Sequence, residues 1–444
     1  MIMTSNAQMS HANDRVLNLT SHTTPNGIEF WHVEDHNLPI TTLHFAFRGA
    51  GAVNDPDNKI GLGQLLSNTL DEGAGERDAL EFQKILQDHA IDLSFVNNRD
   101  HFSGKIRTLK RHQNLAFSLL KDAIHNPLFK DEAVNRMREA NIARIKSSVA
   151  KPNWIASRLM NDQLFGNHPY ARNSGGTISG LEAITANDFR NYIERIFTKD
   201  RLVVSTAGDM SANEASQIID DVFGDLPEKS DLASVANISY GDDHKMIGFE
   251  ISSPQSVVQM AWPGIEKNDP DHHAVQVMNH ILGGGGFSSL LMEEVREKRG
   301  LTYGIYSYPV NMDKGDYMMI ESAMAPENIT PMIEVLNDIL DQLKLGDIDA
   351  DQLDDAKNYL IGSLPMRFAS TLSLSGTGLR MQLDGRHMNA LDEWSEKINA
   401  VSVDDIVRVA KRIFANNKPS VTVIAGAMPT DIELTKIENI PGVE

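Results

Sequence analysis

Two histidines four apart, His32 and His36 in HVEDH, are the first residues whose types and spacing could do chemistry. With Glu in place of Asp35 the stretch would read His-x-x-Glu-His, in which two imidazoles hold a zinc ion and a carboxylate takes a proton from metal-bound water. Ligands at i and i+4 converge only on a helix, where their Cβ atoms lie roughly 5–6 Å apart. The flanks predict strands instead. Asn26-Gly27 is a turn pair, IEFWHV reads as a strand, and TTLHFAF (41–47) follows NLP, so the segment is expected to be a β-hairpin with Asp35-His36-Asn37 at its tip. Along a strand, residues four apart are separated by roughly 13 Å, and the two imidazoles would not share an ion. His272, His273 and His280 fall on a predicted helix, but seven residues part the last two; they read as packed or exposed histidines. His168, in NHPYA, reads as a turn or positioning residue.

A second set of polar side chains lies in GLGQLLSNTLDEGAGE (61–76). Leu62, Leu65, Leu66 and Leu70 form an apolar stripe at helical spacing, with Gly73 as the expected C-terminal cap. Gln64 and Asn68 then share a face, with Ser67 beside them. A third set lies in LGGGGFSSLLMEEVREKRGLTYGIYSY (282–308). Ser288 or Ser289 is expected to cap a helix with Glu293 and Glu294 early and Arg296, Lys298 and Arg299 late, the order the helix dipole favours. Gly300 ends it, and Tyr303 opens the strand TYGIYSY. Arg296 and Tyr303 could thus face one cavity; taken alone they also read as a charged helix end and a strand tyrosine. The run Gly283, Gly284, Gly285, Gly286 lacks the Lys-Ser/Thr of a phosphate-binding loop and does not match GxGxxG, which leaves a plain flexible turn.

The elements that must position these residues come in two sets. At 444 residues the chain is too long for one ordinary core. Residues 184–210 (ITANDFRNYIERIFTKDRLVVSTAGDM) are echoed by 401–428 (VSVDDIVRVAKRIFANNKPSVTVIAGAM), each an amphipathic helix, an Arg-Ile-Phe, a polar turn and a strand ending in glycine, at an offset of about 218 residues. A repeat this long implies two copies of one large domain. The polar stretch LPEKSDLASVANISYGDDH is the expected seam, giving a flexible N-terminus 1–15, an N-terminal domain 16–225, a linker 226–244 and a C-terminal domain 245–444. Strands and helices in separate runs predict an α+β class, with helices layered on a sheet in each half.

Bulk properties narrow the function. Net charge is −20, from 41 basic and 61 acidic residues, which argues against nucleic acid and against an anionic membrane surface. Without cysteine there are no disulfides, thiolate nucleophiles or thiolate metal sites. No run of 18 apolar residues occurs, and the start lacks a basic then apolar leader, so the expected location is cytoplasmic, or periplasmic if a signal peptide has been trimmed.

The two-half layout resembles the pitrilysin/insulinase-type zinc metallopeptidases, particularly their shorter, mitochondrial-processing-peptidase-like branch. Their helix reads G-L-A-H-F-L-E-H-x-x-F-x-G-T. On it, Gln64 stands at the first histidine ligand, Ser67 at the general-base glutamate and Asn68 at the second histidine ligand. The third ligand is a Glu within E-R-x-R-x-V-x-L-x-E; here the helix reads NRMREANIAR and Arg144 takes that place. Amides and a hydroxyl are poor zinc ligands beside imidazole and carboxylate, and a fixed guanidinium repels a dication. The resemblance therefore implies a chain that holds no zinc. The segment 282–308 is similar to the family's G-G-x-x-S-S-R-L-F-x-x-I-R-E-x-x-G-L-A-Y, so Arg296 and Tyr303 match a pair used by active members, Gly283–Gly286 fall near the peptide path, and Leu290 replaces an arginine.

The resemblance implies two homologous layered α/β-sandwich domains forming a clam-shell. It also implies a heterodimer in which a homologous partner carries the zinc and this chain binds peptide or unfolded polypeptide and lends Arg296 and Tyr303. A non-proteolytic binding or scaffold protein on the same fold is the alternative. An independent metallopeptidase with unorthodox ligands is a third.

Overall fold

The computed structural model describes residues 15–241 and 243–444; the expected flexible N-terminus therefore lies, apart from Arg15, outside the described residues. The first sheet is built from β1 (Thr20–Thr23), β2 (Glu29–Glu34), β3 (Ile40–Phe47), β4 (Asp92–Asn97), β5 (Phe102–Leu109) and β6 (Leu202–Gly208), in the order β1-β2-β6-β3-β5-β4. The second uses β7 (Lys245–Glu250), β8 (Ser256–Pro263), β9 (Ile305–Val310), β10 (Tyr317–Met324), β11 (Val421–Gly426) and β12 (Thr435–Lys436), in the order β12-β7-β11-β8-β10-β9. Five strands correspond one to one, and the parallel pair β2–β6 is matched by β7–β11. The copies part at one edge, where β1 runs antiparallel to β2 but β12 runs parallel to β7.

The sequence repeat is a repeat of physical devices. Thr185 with Asp188, and Ser402 with Asp405, form capping boxes that start the helices Ala186–Ile196 and Val403–Ile413. The phenylalanine of each Arg-Ile-Phe packs into its own core: Phe197 stacks on Phe47 of β3 at 4.5 Å between centroids, and Phe414 meets Trp262 of β8 edge-on at 5.3 Å. Each following strand ends at a glycine of positive φ, Gly208 at 117° and Gly426 at 139°, a conformation a side chain would strain. Between the helix Ala212–Phe223 and β7 no helix or strand forms among the described residues.

Both β6 and β11 are buried along nearly their whole length, as strands covered on two faces are. One face of each sheet is covered by helices of its own half. The other is covered by a helix from the opposite half. The helix Pro152–Phe165 places Ile155, Ala156, Leu159 and Met160 against Ile247, Val257, Ala261 and Val423 of the second sheet. In return the helix Thr371–Leu383 crosses the first sheet, with Leu374 and Met381 packed among Leu19, Trp31 and Val33. This second contact is rich in small and polar groups. Thr42 donates to Thr371 at 2.9 Å, Gln382 donates to the Val204 carbonyl at 2.9 Å, and a Cβ on Gly378 would strike the Ser205 hydroxyl. The expected layering of helices on a sheet in each half is present, and a reciprocal exchange of helices covers the second face of each sheet.

The HVEDH segment also differs from expectation. β2 and β3 are not a hairpin, because β6 lies between them, parallel to β2 and antiparallel to β3. Residues 35–39 carry the chain over the end of β6. His32 is buried, with Nδ1 2.8 Å from the Thr206 hydroxyl and Nε2 3.0 Å from the Met210 carbonyl. His36 is exposed and bonds to Asp209 at 2.6 Å and Glu34 at 2.9 Å. The two rings serve different partners.

Candidate functional site

The stretch 61–76 forms a shorter helix than its leucine stripe predicts, Leu62–Ser67, with Asn68 as its C-terminal cap. Hydroxyl groups compete for the last carbonyls: Ser67 donates to Gln64 O at 2.8 Å and Thr69 to Leu65 O at 2.7 Å. Gly73 has φ 107° but sits beyond the helix, beside a bridge between Ala74 and Arg77. The helix start is held by Asp55, a buried carboxylate that accepts from Gly61 N–H at 2.8 Å and Gly63 N–H at 3.0 Å. Burial pushes the Asp55 carboxyl up to about 7, although both N–H groups and Arg172 favour its anion.

Gln64, Asn68 and Arg144 are brought together, with Ser67 buried beside them on the helix. Gln64 donates to the Asn68 side-chain oxygen at 2.8 Å, and Asn141 donates to the same oxygen at 3.3 Å. Arg144 donates to Asn141 Oδ1 at 3.3 Å and to the Gly175 carbonyl at 3.1 Å. The result is a chain of amides closed by a guanidinium. Asn141, from the helix Asp131–Ser148, is the member sequence reasoning missed. Its signal was an amide, a weak helix former, placed inside a long helix one turn before Arg144.

These residues do not fit zinc. Tetrahedral sites draw on imidazole, thiolate and carboxylate, whereas the side chains here are amides and a fixed cation joined in one hydrogen-bonded chain, and a hydroxyl bonded to a backbone carbonyl. Among the described residues no group of three or more His, Cys, Asp or Glu is placed to hold a metal ion.

Arg296 and Tyr303 lie in the other half. Arg296 ends a π-helical stretch, Met292–Glu297, with its guanidinium 4.6 Å from the centre of the Phe287 ring and 3.3 Å from Glu297. Contact with an aromatic face attracts the cation and restrains it, and one of its nitrogens also faces Glu297. Tyr303 is 83% exposed. It precedes β9 rather than opening it, since the strand starts at Ile305, and no hydrogen bond joins it to Arg296 among the described residues. Ser288 and Ser289 do not cap a helix; their hydroxyls donate backward to Gly285 O at 3.0 Å and Gly286 O at 2.7 Å. Leu290 is in the core of the second half.

The glycine run is not a loose turn. Gly283 and Gly284 end the π-helical turn His280–Gly284. A Cβ at Gly283 would lie 2.6 Å from Ser307 N, at Gly284 2.5 Å from the Asn279 amide, and at Gly285 2.7 Å from His280 O. Gly286, with φ 63°, has open space around it. Neighbouring atoms occupy the space of a Cβ at Gly283, Gly284 and Gly285, whereas that at Gly286 is open.

Family models match both halves. The model described as insulinase (peptidase family M16) matches residues 47–177, and that described as peptidase M16 inactive domain matches residues 183–360. The chain belongs to the insulinase family, M16. Among curated M16 relatives, a protein of Helicobacter pylori called a non-peptidase homolog is 25% identical over 84% of this chain and 86% of its own length. A Bacillus subtilis protein called an uncharacterized zinc protease is 24% identical over 83% of this chain and 89% of its own. Of solved structures, a peptidase M16 inactive domain from Pseudomonas fluorescens superposes with a TM-score of 0.85 at 27% identity, over 94% of this chain and 100% of that one. A protease from Helicobacter pylori superposes with a TM-score of 0.82 at 16% identity, over 92% and 99% of the two chains, a likeness of fold. The two six-stranded domains are thus the M16 clam-shell. No helix among the described residues is long and apolar enough to cross a membrane.

Proposed function

We propose that this M16 chain is the non-catalytic subunit of a heterodimeric zinc endopeptidase. The observation that carries the reading is a contrast within one chain. Gln64, Asn68 and Arg144, at positions matching the family's ligands, are joined through Asn141 in one hydrogen-bonded chain, while Arg296 is braced on Phe287 and Tyr303 stands 83% exposed. A homologous partner with the His-x-x-Glu-His motif holds the zinc that activates water. This chain binds an extended peptide or unfolded polypeptide, which adds as a strand to a free sheet edge. In the first half that edge is β4, whose Asn97 lies against Gly63 of the degenerate helix. Arg296 and Tyr303 donate hydrogen bonds to the substrate carbonyl and to the oxyanion as charge develops on it.

Reconstitution with a metal-motif partner tests the reading. Arg296→Ala is expected to abolish peptide cleavage while leaving assembly intact; normal turnover by that complex overturns it. The second reading, a non-proteolytic binding or scaffold protein, draws on the relative called a non-peptidase homolog, and on Arg296 already being engaged by Phe287 and Glu297. It predicts no cleavage with any partner.

A further inference from the structure

The second half contains a cavity of about 630 Å³ between the helices His272–Asn279 and Thr371–Leu383, behind the face that the latter helix turns to the first sheet. Its charge opposes that of the protein. Lys267, Arg367, Arg380 and Arg386 line it against a single carboxylate, Asp384, in a chain of net charge −20. Lys267 is already paired with Asp384 at 2.8 Å. Among the described residues, Arg367, Arg380 and Arg386 make no ion pair.

Arg386 is held in place by neutral groups. Its Nη2 lies 3.0 Å from His272 Nε2, which also faces the Gln276 side-chain nitrogen at 3.2 Å. Two donors aimed at one ring nitrogen require it to be unprotonated, and burial together with Arg386 pushes His272 down to about 4. Gln276 is fixed in turn by the indole N–H of buried Trp394 at 3.2 Å. This chain positions a guanidinium without neutralising it. Phe368, Leu391 and Trp394 give the cavity an apolar wall. A second cavity of about 470 Å³ shares Lys267, His272 and Arg386 with it.

We propose that this cavity binds a small organic molecule carrying phosphate or carboxylate groups. Guanidinium forks match the oxygens of either group, and several converging cations favour a multivalent anion. A volume of this order holds a small molecule but not a folded segment. No lining residue belongs to 282–308, so the proposal is independent of the role suggested for Arg296 and Tyr303, and either can fail alone.

The test is calorimetric titration of the whole chain with phenyl phosphate and, separately, with citrate, against sodium chloride at matched ionic strength. Saturable binding of phenyl phosphate alone assigns a phosphate-bearing ligand, of citrate alone a polycarboxylate, and of both a general site for multivalent oxyanions. Arg386→Gln and Arg380→Gln should each weaken binding by about tenfold or more. Arg380 is exposed, so its replacement leaves folding intact and keeps the test decisive if the Arg386 variant unfolds. Failure of both probes to bind saturably, or equal affinity in the wild type and the Arg380 variant, overturns the proposal.

Discussion

The side chains of Gln64, Ser67, Asn68, Asn141 and Arg144 all have hydrogen-bond partners within the protein; around Tyr303 the hydroxyl has none among the described residues. The two regions sit on copies of the same fold, so the difference lies in what each side chain is left free to do. A closed set of hydrogen bonds adds modestly to stability and turns away a ligand, because an incoming ion would have to displace bonds already made. An exposed tyrosine adds almost nothing to stability. On the proposed function its use lies outside the folded chain. The first region therefore should respond to mutation through stability, and the second through activity.

The largest expected effect concerns the exchange that holds both regions in one body. Leu159→Ala removes an apolar side chain buried between the first half's helix and the second sheet, and should cost about 2–5 kcal/mol in denaturant unfolding. Gly378→Val attacks the reciprocal contact by overpacking against Ser205, with an expected cost of about 1–3 kcal/mol. Losses below about 0.5 kcal/mol in both would mean that the halves do not depend on exchanged helices.

Next comes Tyr303→Phe. In a reconstituted complex it should lower peptide cleavage by about 100-fold or more, with the unfolding midpoint of the isolated chain unchanged. The opposite pattern, intact turnover with lost stability, would erase the contrast between the regions.

Asn68→Ala should do the reverse of Tyr303→Phe. It removes the oxygen on which Gln64 and Asn141 converge and should cost about 1–2 kcal/mol, without changing cleavage by the complex. Equal stability of variant and wild type would show that the network is not closed in solution.

The smallest effect is in pH. Asp55, with its carboxyl raised to about 7, binds its proton earlier in the folded chain than in the unfolded one, where the value is 3.8. Its contribution therefore grows as pH falls from 7 towards 4. His44, lowered to about 4 by burial and Lys105, has the opposite sense: the unfolded chain takes the proton near 6.5, so stability falls between about 6.5 and about 4. Asp55→Asn should steepen the acid loss of stability and His44→Gln should reduce it, as read from unfolding midpoints across that range. Parallel pH profiles for both variants and the wild type would contradict the assigned environments.

Much of this was legible in the chain. Arg-Ile-Phe at 195–197 and again at 412–414, followed each time by a strand and a glycine, announces two copies of one domain, because helix caps, a core phenylalanine and a strand-ending glycine are local features. The side-chain types of Gln64, Ser67, Asn68 and Arg144 can be read off as unfit for zinc, whereas their standing at ligand positions is what the family resemblance implies. Partnerships between distant segments were not legible. Ile155 and Leu159 mark a buried helix face but not that its partner is a sheet whose first strand starts only at Lys245. The supposed hairpin of β2 and β3 fails because β6, from residues 202–208, inserts between them. Asn141 escaped because the pattern singled out Arg144, whereas the fold brings the residue one turn earlier against Asn68. The cationic cavity depends on a pocket that only tertiary packing creates.

On the proposed function this chain contributes to a metal site it does not itself contain. Zinc analysis of the purified chain, and of its complex with a His-x-x-Glu-His partner captured from the native cell, tests it most directly. The chain alone should hold no stoichiometric zinc, and the complex should hold zinc that is lost when the partner's histidines are replaced. Stoichiometric zinc retained by the isolated chain would contradict it.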